Sequence, residues 1–344
     1  MDRLLPKAAI AAMFTALLLV GIVSMPAFEA DKGILDGKST HAFETALTQK
    51  LPFREAAINV TAAIDYFVFG HGRPGVVVGT DGWLFTSEEF ARAADPDANI
   101  AARADFVADV NARLEARGQS LVVLVVPDKS RIYEVRLGRT ARPAALNPRY
   151  MQFLTSLAER GVEAPNLAAR FTDAASSTQL FFRTDTHWTP DGAALAAELA
   201  GPALRKHLAG LDSVAFTTNP AEAEPLDGDL LRYIDLGSLA QWGPAPETIR
   251  PPITTEATDD LDVDALFADT VVPIVLVGTS FSADRRWNFA GALEAATGQR
   301  VENRAQIGKG PIIPMNDYLE ATRDTANLPP VVLWEMPERS LGAQ

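Results

Sequence analysis

Leu121-Val122-Val123-Leu124-Val125-Val126-Pro127 is the stretch that decides the fold. A strand with one wet face alternates apolar and polar residues. An unbroken β-branched run marks a strand buried on both faces, as in a parallel sheet. The run VVPIVLVGTS, Val271 to Ser280, repeats the pattern and stops at a Gly-Thr-Ser turn, and VVLWEM, Val331 to Met336, gives another such strand. Helical periodicity fills the intervals. It predicts an amphipathic helix over 97–118 ending at Gly118, one over 148–160, one from about Pro190 to His207, and a start near Ser282. Thr189-Pro190 supplies a helix N-cap followed by proline at the first helical position. Strands alternating with helices predict an α/β class, a parallel sheet flanked by helices.

Outside these runs, VVVGTDGWLF, Val76 to Phe85, reads as a hairpin turning at Thr80-Asp81-Gly82. GVEAPNL, residues 161–167, suggests a short strand and turn. Residues 218–262, rich in proline, threonine and acids, yield no elements and read as a surface excursion. The expected divisions are 1–28 as a membrane anchor or signal, 29–74 as a membrane-proximal linker and helix, and 75–344 as the catalytic domain. No internal repeat is visible.

The N-terminus points outward. Arg3 and Lys7 precede Ala8–Met25, an uncharged apolar stretch of 18 residues. As a helix it is about 27 Å long at roughly 1.5 Å per residue, close to the roughly 30 Å hydrocarbon core. Basic residues before it and Glu29 and Asp31 after it orient the remainder outside the cytoplasm. A cleaved signal peptide is the rival reading. The anchor is favoured because neither Ala27 nor Ala30 completes an A-x-A site.

Composition narrows function further. The chain has 344 residues, is 47% hydrophobic, and carries a net charge of −13. That charge argues against a general nucleic-acid binder, which needs a basic face toward phosphates. With no cysteine, disulfides, zinc–thiolate sites and cysteine nucleophiles are excluded. There are four histidines, His41, His71, His187 and His207, too scattered for a multi-histidine metal centre.

Two local signals carry chemistry. Ser280 ends a hydrophobic strand just before a helix, where following N–H groups can bind an oxyanion; an ordinary turn or helix-capping serine fits equally. Asp185-Thr186-His187-Trp188 follows the apolar Leu180–Phe182 run. A carboxylate two residues before a histidine can accept from Nδ1–H and leave Nε2 free to take a proton from a serine. Trp188 is placed to shield the imidazole; a plain loop histidine is the alternative. Together the pair supplies a nucleophile, a base and an orienting group, all at strand and helix ends where α/β sheets gather ligands.

The set resembles the alginate O-acetyltransferase group, the AlgJ and AlgX proteins, within the SGNH hydrolase superfamily. The matching residues are Asp81-Gly82-Trp83-Leu84-Phe85, Pro127-Asp128-Lys129, Asp185-x-His187-Trp188, Gly278-Thr279-Ser280-Phe281-Ser282 and Trp334-Glu335-x-Pro337-Glu338-Arg339. They fall in the family's order across about residues 75–340. The resemblance implies an SGNH hydrolase-like sheet in which Asp and His precede Ser, as if permuted. It implies Ser280 as acetyl-carrying nucleophile, His187 as base then acid, and Asp185 as its orienter. Oxyanion donors would include the Ser280 N–H and a side chain from Asn303 or Arg304, although Asn303 also fits as a turn residue. Lys129 and Tyr133 would line the cleft, with an ion-pair role for Lys129 left open.

The acceptor implied is a periplasmic polyuronate. For it, Arg285, Arg286, Arg300, Arg304 and Lys309 offer a local basic stretch, or else simply a solvated face. The acetyl donor would be a membrane-bound O-acyltransferase partner at the inner membrane. No coenzyme A signature is present, and no cofactor or metal is expected. No carbohydrate-binding module is expected after Arg339, which favours the anchored single-domain type within the group. Acetyl-ester hydrolysis by the same triad, or a non-catalytic polysaccharide-binding scaffold, remain alternatives at this point.

Overall fold

The computed structural model describes residues 38–50, 54–257 and 272–342, with helical positions at 15, 19, 20, 22 and 23. Most of the expected anchor, Ala8–Met25, lies outside these. Among the described residues no helix is long and apolar enough to cross a membrane. The chain divides into two compact units, 1–69 with 235–240, and 70–234 with 241–344. The first contains helices α1 (Lys38–Lys50) and α2 (Arg54–Ile64), the latter running into a π-helical turn at Asp65–Phe69.

The second unit is built on a four-stranded sheet. Its strands are β3 (Ser120–Val126), β8 (Ile274–Val277), β9 (Val301–Asn303) and β10 (Val331–Pro337). The spatial order is β3-β10-β8-β9 and every pairing is parallel. Alternate side chains of these strands enter different cores. Val122, Leu124, Val126, Leu276 and Leu333 pack with helices α5 (Ala168–Ala174), α6 (Pro190–Lys206) and α7 (Phe289–Thr297). Val123, Val125, Val275, Val277 and Trp334 pack with α3 (Pro96–Glu115), α4 (Arg149–Glu159) and α8 (Ile312–Ala321). This is the three-layer arrangement that the apolar runs imply, because period-two side chains of a two-sided strand must serve both faces. Cutting one such side chain, Leu276→Ala, is worth about 2–5 kcal/mol.

The helix ends follow their capping chemistry. Asp95 accepts from Ala98 N–H with Pro96 at the first position of α3. Thr189 accepts from Gly192 N–H with Pro190 opening α6. The hairpin of β1 (Val76–Val78) and β2 (Leu84–Thr86) closes where expected, with Asp81 and Gly82 both in the left-handed region at φ 54° and 77°. Asp-Gly tolerates this where most residues do not.

Two expectations change. GVEAPNL forms only a single parallel bridge, Glu163 to Val122, because Pro165 follows and cannot extend a ladder. The excursion 218–262 is ordered over much of its length. It holds two nested antiparallel pairs, β4 (Phe216–Pro220) with β7 (Pro252–Glu256) and β5 (Glu224–Leu226) with β6 (Glu247–Ile249). Their strands are three to five residues long and three of the four carry proline, so hydropathy hides them. Residues 258–262 lie outside the described set.

Beyond the carboxyl ends of β3 and β10, the motifs Pro127-Asp128-Lys129 and Pro337-Glu338-Arg339 meet. Arg142 bridges Asp128 (2.8 Å) and Glu338 (3.0 Å), Arg149 binds Asp128 (2.5 Å), and Arg131 binds Glu338 (2.6 Å). These buried pairs tie the two strand ends together, although burial and the nearby Glu338 and Glu89 carboxylates push the Asp128 pKa up to about 8 and Asp128 Oδ1 and Arg149 Nε stay without a hydrogen-bond partner.

Candidate active site

Ser280 stands at the carboxyl end of β8, at the start of the helical turn Ser280–Ala283, which Thr279 caps. The turn is held from beneath by Glu335 of β10. Register pairs Trp334 with Val277, so Glu335 falls beside Gly278 and Thr279. Its fully buried carboxylate accepts from Thr279 N–H (2.7 Å), Thr279 Oγ1 (3.0 Å) and Ser282 Oγ (3.0 Å). Burial raises the Glu335 pKa, and these donors work against the rise. A Cβ at Gly278 would lie 2.5 Å from Glu335 Oε2, so only glycine allows this approach.

Asp185 and His187 lie in the loop before α6. His187 Nδ1 is 2.7 Å from Asp185 Oδ1, and Nε2 is 2.8 Å from Ser280 Oγ. Asp185 is buried, which alone pushes its pKa up. The hydrogen bond and charge of His187, with N–H donors from His187 (2.9 Å) and Asp229 (3.0 Å), outweigh burial and hold it down at about 2. An ionised carboxylate can only accept, so Nδ1 carries a proton and Nε2 is the acceptor for the serine hydroxyl. His187 is packed by Trp287, stacked at 5.5 Å, and by Phe281 at 4.9 Å.

The loop itself is fixed by groups that sequence reasoning missed. Glu247 of β6 accepts from the N–H groups of Arg183 (2.9 Å) and Thr184 (2.7 Å) and from Thr184 Oγ1 (2.6 Å). Asp229 accepts from Thr186 N–H (2.8 Å) and Oγ1 (2.9 Å). Asp185, His187 and Asp229 bring ligand atoms within 4.8 Å of one another, but as arranged each is already engaged in these hydrogen bonds.

Several expected site residues are placed differently. Lys129 does not line a cleft: it is 1% exposed, and its ammonium donates to the carbonyls of Leu84 (2.6 Å), Arg183 (2.9 Å) and Asp185 (2.9 Å). Tyr133 is likewise buried, accepting from Leu180 N–H (2.8 Å). Trp188 is fully buried and donates to the Phe281 carbonyl (3.1 Å), so the aromatic ring over His187 is Trp287 instead. Asn303 spends Nδ2 on the Ser282 carbonyl (2.7 Å) and Oδ1 on Ala305 N–H (3.0 Å), bracing the turn after Ser280. Arg304 is exposed and paired with Glu302 (2.6 Å). Arg285 is exposed, on the turn that also carries Trp287.

With this geometry in hand, comparison with known proteins places the chain. Residues 76–338, which include Asp185, His187 and Ser280, match the family model described as SGNH hydrolase-like domain, acetyltransferase AlgX. The chain belongs to this AlgX acetyltransferase family. It is 39% identical to the probable alginate O-acetylase AlgJ of Pseudomonas syringae pv. tomato, over 100% of this chain and 90% of that protein. It is 40% identical to the probable alginate O-acetylase AlgJ of Pseudomonas putida, over 90% of this chain and 81% of that protein. The solved O-acetyltransferase domain of Pseudomonas putida AlgJ superposes with a TM-score of 0.71 at 36% identity, covering 79% of this chain and 94% of that one. Membership in the AlgX family makes the chain an acyltransferase with an SGNH hydrolase-like α/β fold.

Proposed function

We propose that this protein transfers acetyl groups to hydroxyls of an alginate-like exopolysaccharide in the periplasm, through an acetyl ester on Ser280. The observation that carries the reading is the continuous hydrogen-bonded series Asp185–His187–Ser280, at 2.7 Å and 2.8 Å. The names of its relatives, alginate O-acetylases, support the substrate.

In the first half-reaction, Ser280 Oγ attacks the acetyl carbonyl of the donor while His187 Nε2 takes the hydroxyl proton. Negative charge collects on the carbonyl oxygen, where the Ser280 N–H at the start of the helical turn can donate to it. The tetrahedral intermediate collapses, His187 returns its proton to the departing group, and acetyl-Ser280 remains. In the second half, a sugar hydroxyl loses its proton to Nε2 and attacks the acetyl carbonyl. Collapse releases the acetylated sugar and reprotonates Ser280. Asp185 stays ionised throughout and steadies the imidazolium. The donor is a membrane-bound O-acyltransferase partner, and the stretch Ala8–Met25 holds the protein at the inner membrane.

Ser280→Ala tests the reading. Polymer acetylation in cells carrying only the variant is expected to vanish. Acetylation at the wild-type level would show that Ser280 carries no acetyl group.

A further inference from the structure

Helix α2 and the π-helical turn after it are inside out for a helix that faces water. A helix on the surface of a soluble domain turns its large apolar side chains inward and its polar ones outward. Here the covered side is made of Ala63, which is buried, and Asn59, against which Gly237 of the same unit packs so closely that a Cβ there would clash with the Asn59 amide. The uncovered side carries Val60, Ile64, Phe67, Val68 and Phe69, each 46 to 64% exposed. Val60, Ile64 and Val68 recur every four residues and form one row, and Phe67 stands three residues after Ile64 on its flank. From Ala57 to Phe69 the sequence holds a single charge, Asp65. Gly70, in the left-handed region at φ 67°, ends the run directly after Phe69.

Singly scattered apolar residues are ordinary on a surface, but a contiguous patch of them marks a contact. Where the chain comes from indicates with what. In the reading of Ala8–Met25 as a membrane-held stretch, the chain from there to Phe69 can reach no further than about 90 Å, with α1 and α2 helical and the rest fully extended. The patch is thus always within reach of a bilayer. Its chemistry suits the apolar side of that bilayer's surface. An anionic headgroup layer selects polybasic segments, and this stretch has no basic residue. The boundary between headgroups and acyl chains takes up phenylalanine and aliphatic side chains on one helix face.

We infer that the uncovered face of α2 and its π-helical turn, Val60 to Phe69, docks into the headgroup–acyl boundary of the membrane as a second contact beside Ala8–Met25. The inference rests on the anchor reading for the presence of the membrane, and the experiment separates the two. Its consequence is one of reach. Gly70 opens the second unit, so docking of Phe69 replaces a leash of about 90 Å with one glycine joint at the bilayer surface. The unit that carries Ser280 is then confined next to the membrane, which raises its effective concentration toward a membrane-bound acetyl donor.

The chain has no cysteine, so one introduced cysteine takes a fluorescent label at one site. The full chain with Val68→Cys and a bimane label is reconstituted into vesicles of phosphatidylethanolamine and phosphatidylglycerol that contain nitroxide-bearing lipids. The label is expected to be quenched, and more strongly by a nitroxide near the glycerol backbone than by one at the acyl-chain end. Thr40→Cys places the same label at an exposed position of the polar helix α1, nearer to Ala8–Met25 along the chain, and quenching there is expected to be about threefold weaker or less. Phe67→Ser with Phe69→Ser, both at exposed positions, is expected to leave the thermal melt unchanged. The pair should reduce quenching at Val68 to the Thr40 level and lower polymer acetylation in cells severalfold at equal protein level. Replacing phosphatidylglycerol by phosphatidylcholine should change quenching less than about twofold, as an apolar contact requires.

No quenching at Val68, equal quenching at Thr40, or quenching untouched by the serine pair each overturns the inference. A label at Val68 that lipid does not quench, while a pyrene there gives excimer emission, assigns the face to a second copy and overturns it too. Wild-type acetylation with docking lost overturns the confinement. If alkaline carbonate strips the chain from vesicles in which Val68 is quenched at neutral pH, the anchor reading fails and the surface contact stands.

Discussion

Replacing Lys129 by methionine tests whether a buried ammonium holds the candidate triad in place. The side chain is 1% exposed, and its three donors are consumed by the carbonyls of Leu84, Arg183 and Asp185, at 2.6, 2.9 and 2.9 Å. One lysine thus joins the hairpin strand β2 to the loop that carries Asp185 and His187. Methionine keeps the unbranched stem and fills the space, so the change isolates the charge and its bonds. Three hydrogen bonds from a charged donor are worth about 5 kcal/mol together. Against this, burial pushes the ammonium down from 10.5 to about 8, partly offset by Glu89, Glu247, Asp185 and Asp229. That shift corresponds to roughly 3 kcal/mol spent on keeping the charged form. The net expectation is a loss of about 2 kcal/mol, a fall in Tm of about 4–8 °C for a unit of this size.

Freed from its tether, the Asp185 carbonyl no longer fixes the loop, and acetyl-ester turnover is expected to drop by about a hundredfold. The pH dependence has a definite sign. Between about pH 8 and 10.5 the unfolded chain holds a proton on Lys129 that the folded chain has released, so wild-type stability rises with pH across this window relative to the variant. The gap between the two proteins should widen on going from pH 7 to pH 10 in urea unfolding followed by tryptophan fluorescence. A gap that narrows, or a variant with unchanged Tm and turnover, refutes the argument.

Asp185→Asn should cut turnover by a thousandfold or more, because an amide placed against Nδ1 either donates to it and inverts the tautomer or turns its NH₂ toward the Asp229 N–H. The wild-type carboxylate, held at about 2, contributes about 2 kcal/mol above pH 4 that is lost as pH falls through 2; an acid-unfolding curve of the variant should lack that contribution. Gly278→Ala drives a Cβ to 2.5 Å from Glu335 Oε2 and is expected to cost about 1–3 kcal/mol with loss of turnover, read by thermal melts and ester assay. Trp287→Leu removes the ring stacked on His187 and is expected to lower Tm and to raise the mobility of the imidazole in NMR relaxation, while Trp188→Leu, which removes no such stack, should leave imidazole mobility near wild type.

What the sequence makes legible here depends on how far each residue's partner lies along the chain. Leu121–Val126 announces a two-sided strand because both of its faces are written in consecutive positions, and the two cores do divide it by parity. Asp185 and His187 are readable together because they are two residues apart. Ser280 lies 93 residues from His187 and is readable only through its place at a strand end. Glu247 and Asp229 escape because their partners, backbone N–H groups and the hydroxyls of Thr184 and Thr186, lie 43 to 64 residues away, and a backbone donor leaves no mark in sequence. Lys129 reads two ways for the same reason: a cation after a strand suggests a ligand contact or a structural ion pair, and only folding reveals three carbonyls around it.

Glu335 differs, since a carboxylate inside the apolar run VVLWEM does carry a signal. A charge in a fully buried strand must find donors, and a parallel neighbour ending in Gly-Thr-Ser is a supplier of N–H and hydroxyl groups within one register step. The pairing of Trp334 with Val277 makes that step specific. The central strand of the sheet thereby reaches the turn that aims Ser280, so a shift in the β8–β10 register would move Ser280 and its brace together. Packing of the sheet and geometry at Ser280 are one structural requirement, and mutations that loosen the register of β10 should damage catalysis before they unfold the domain.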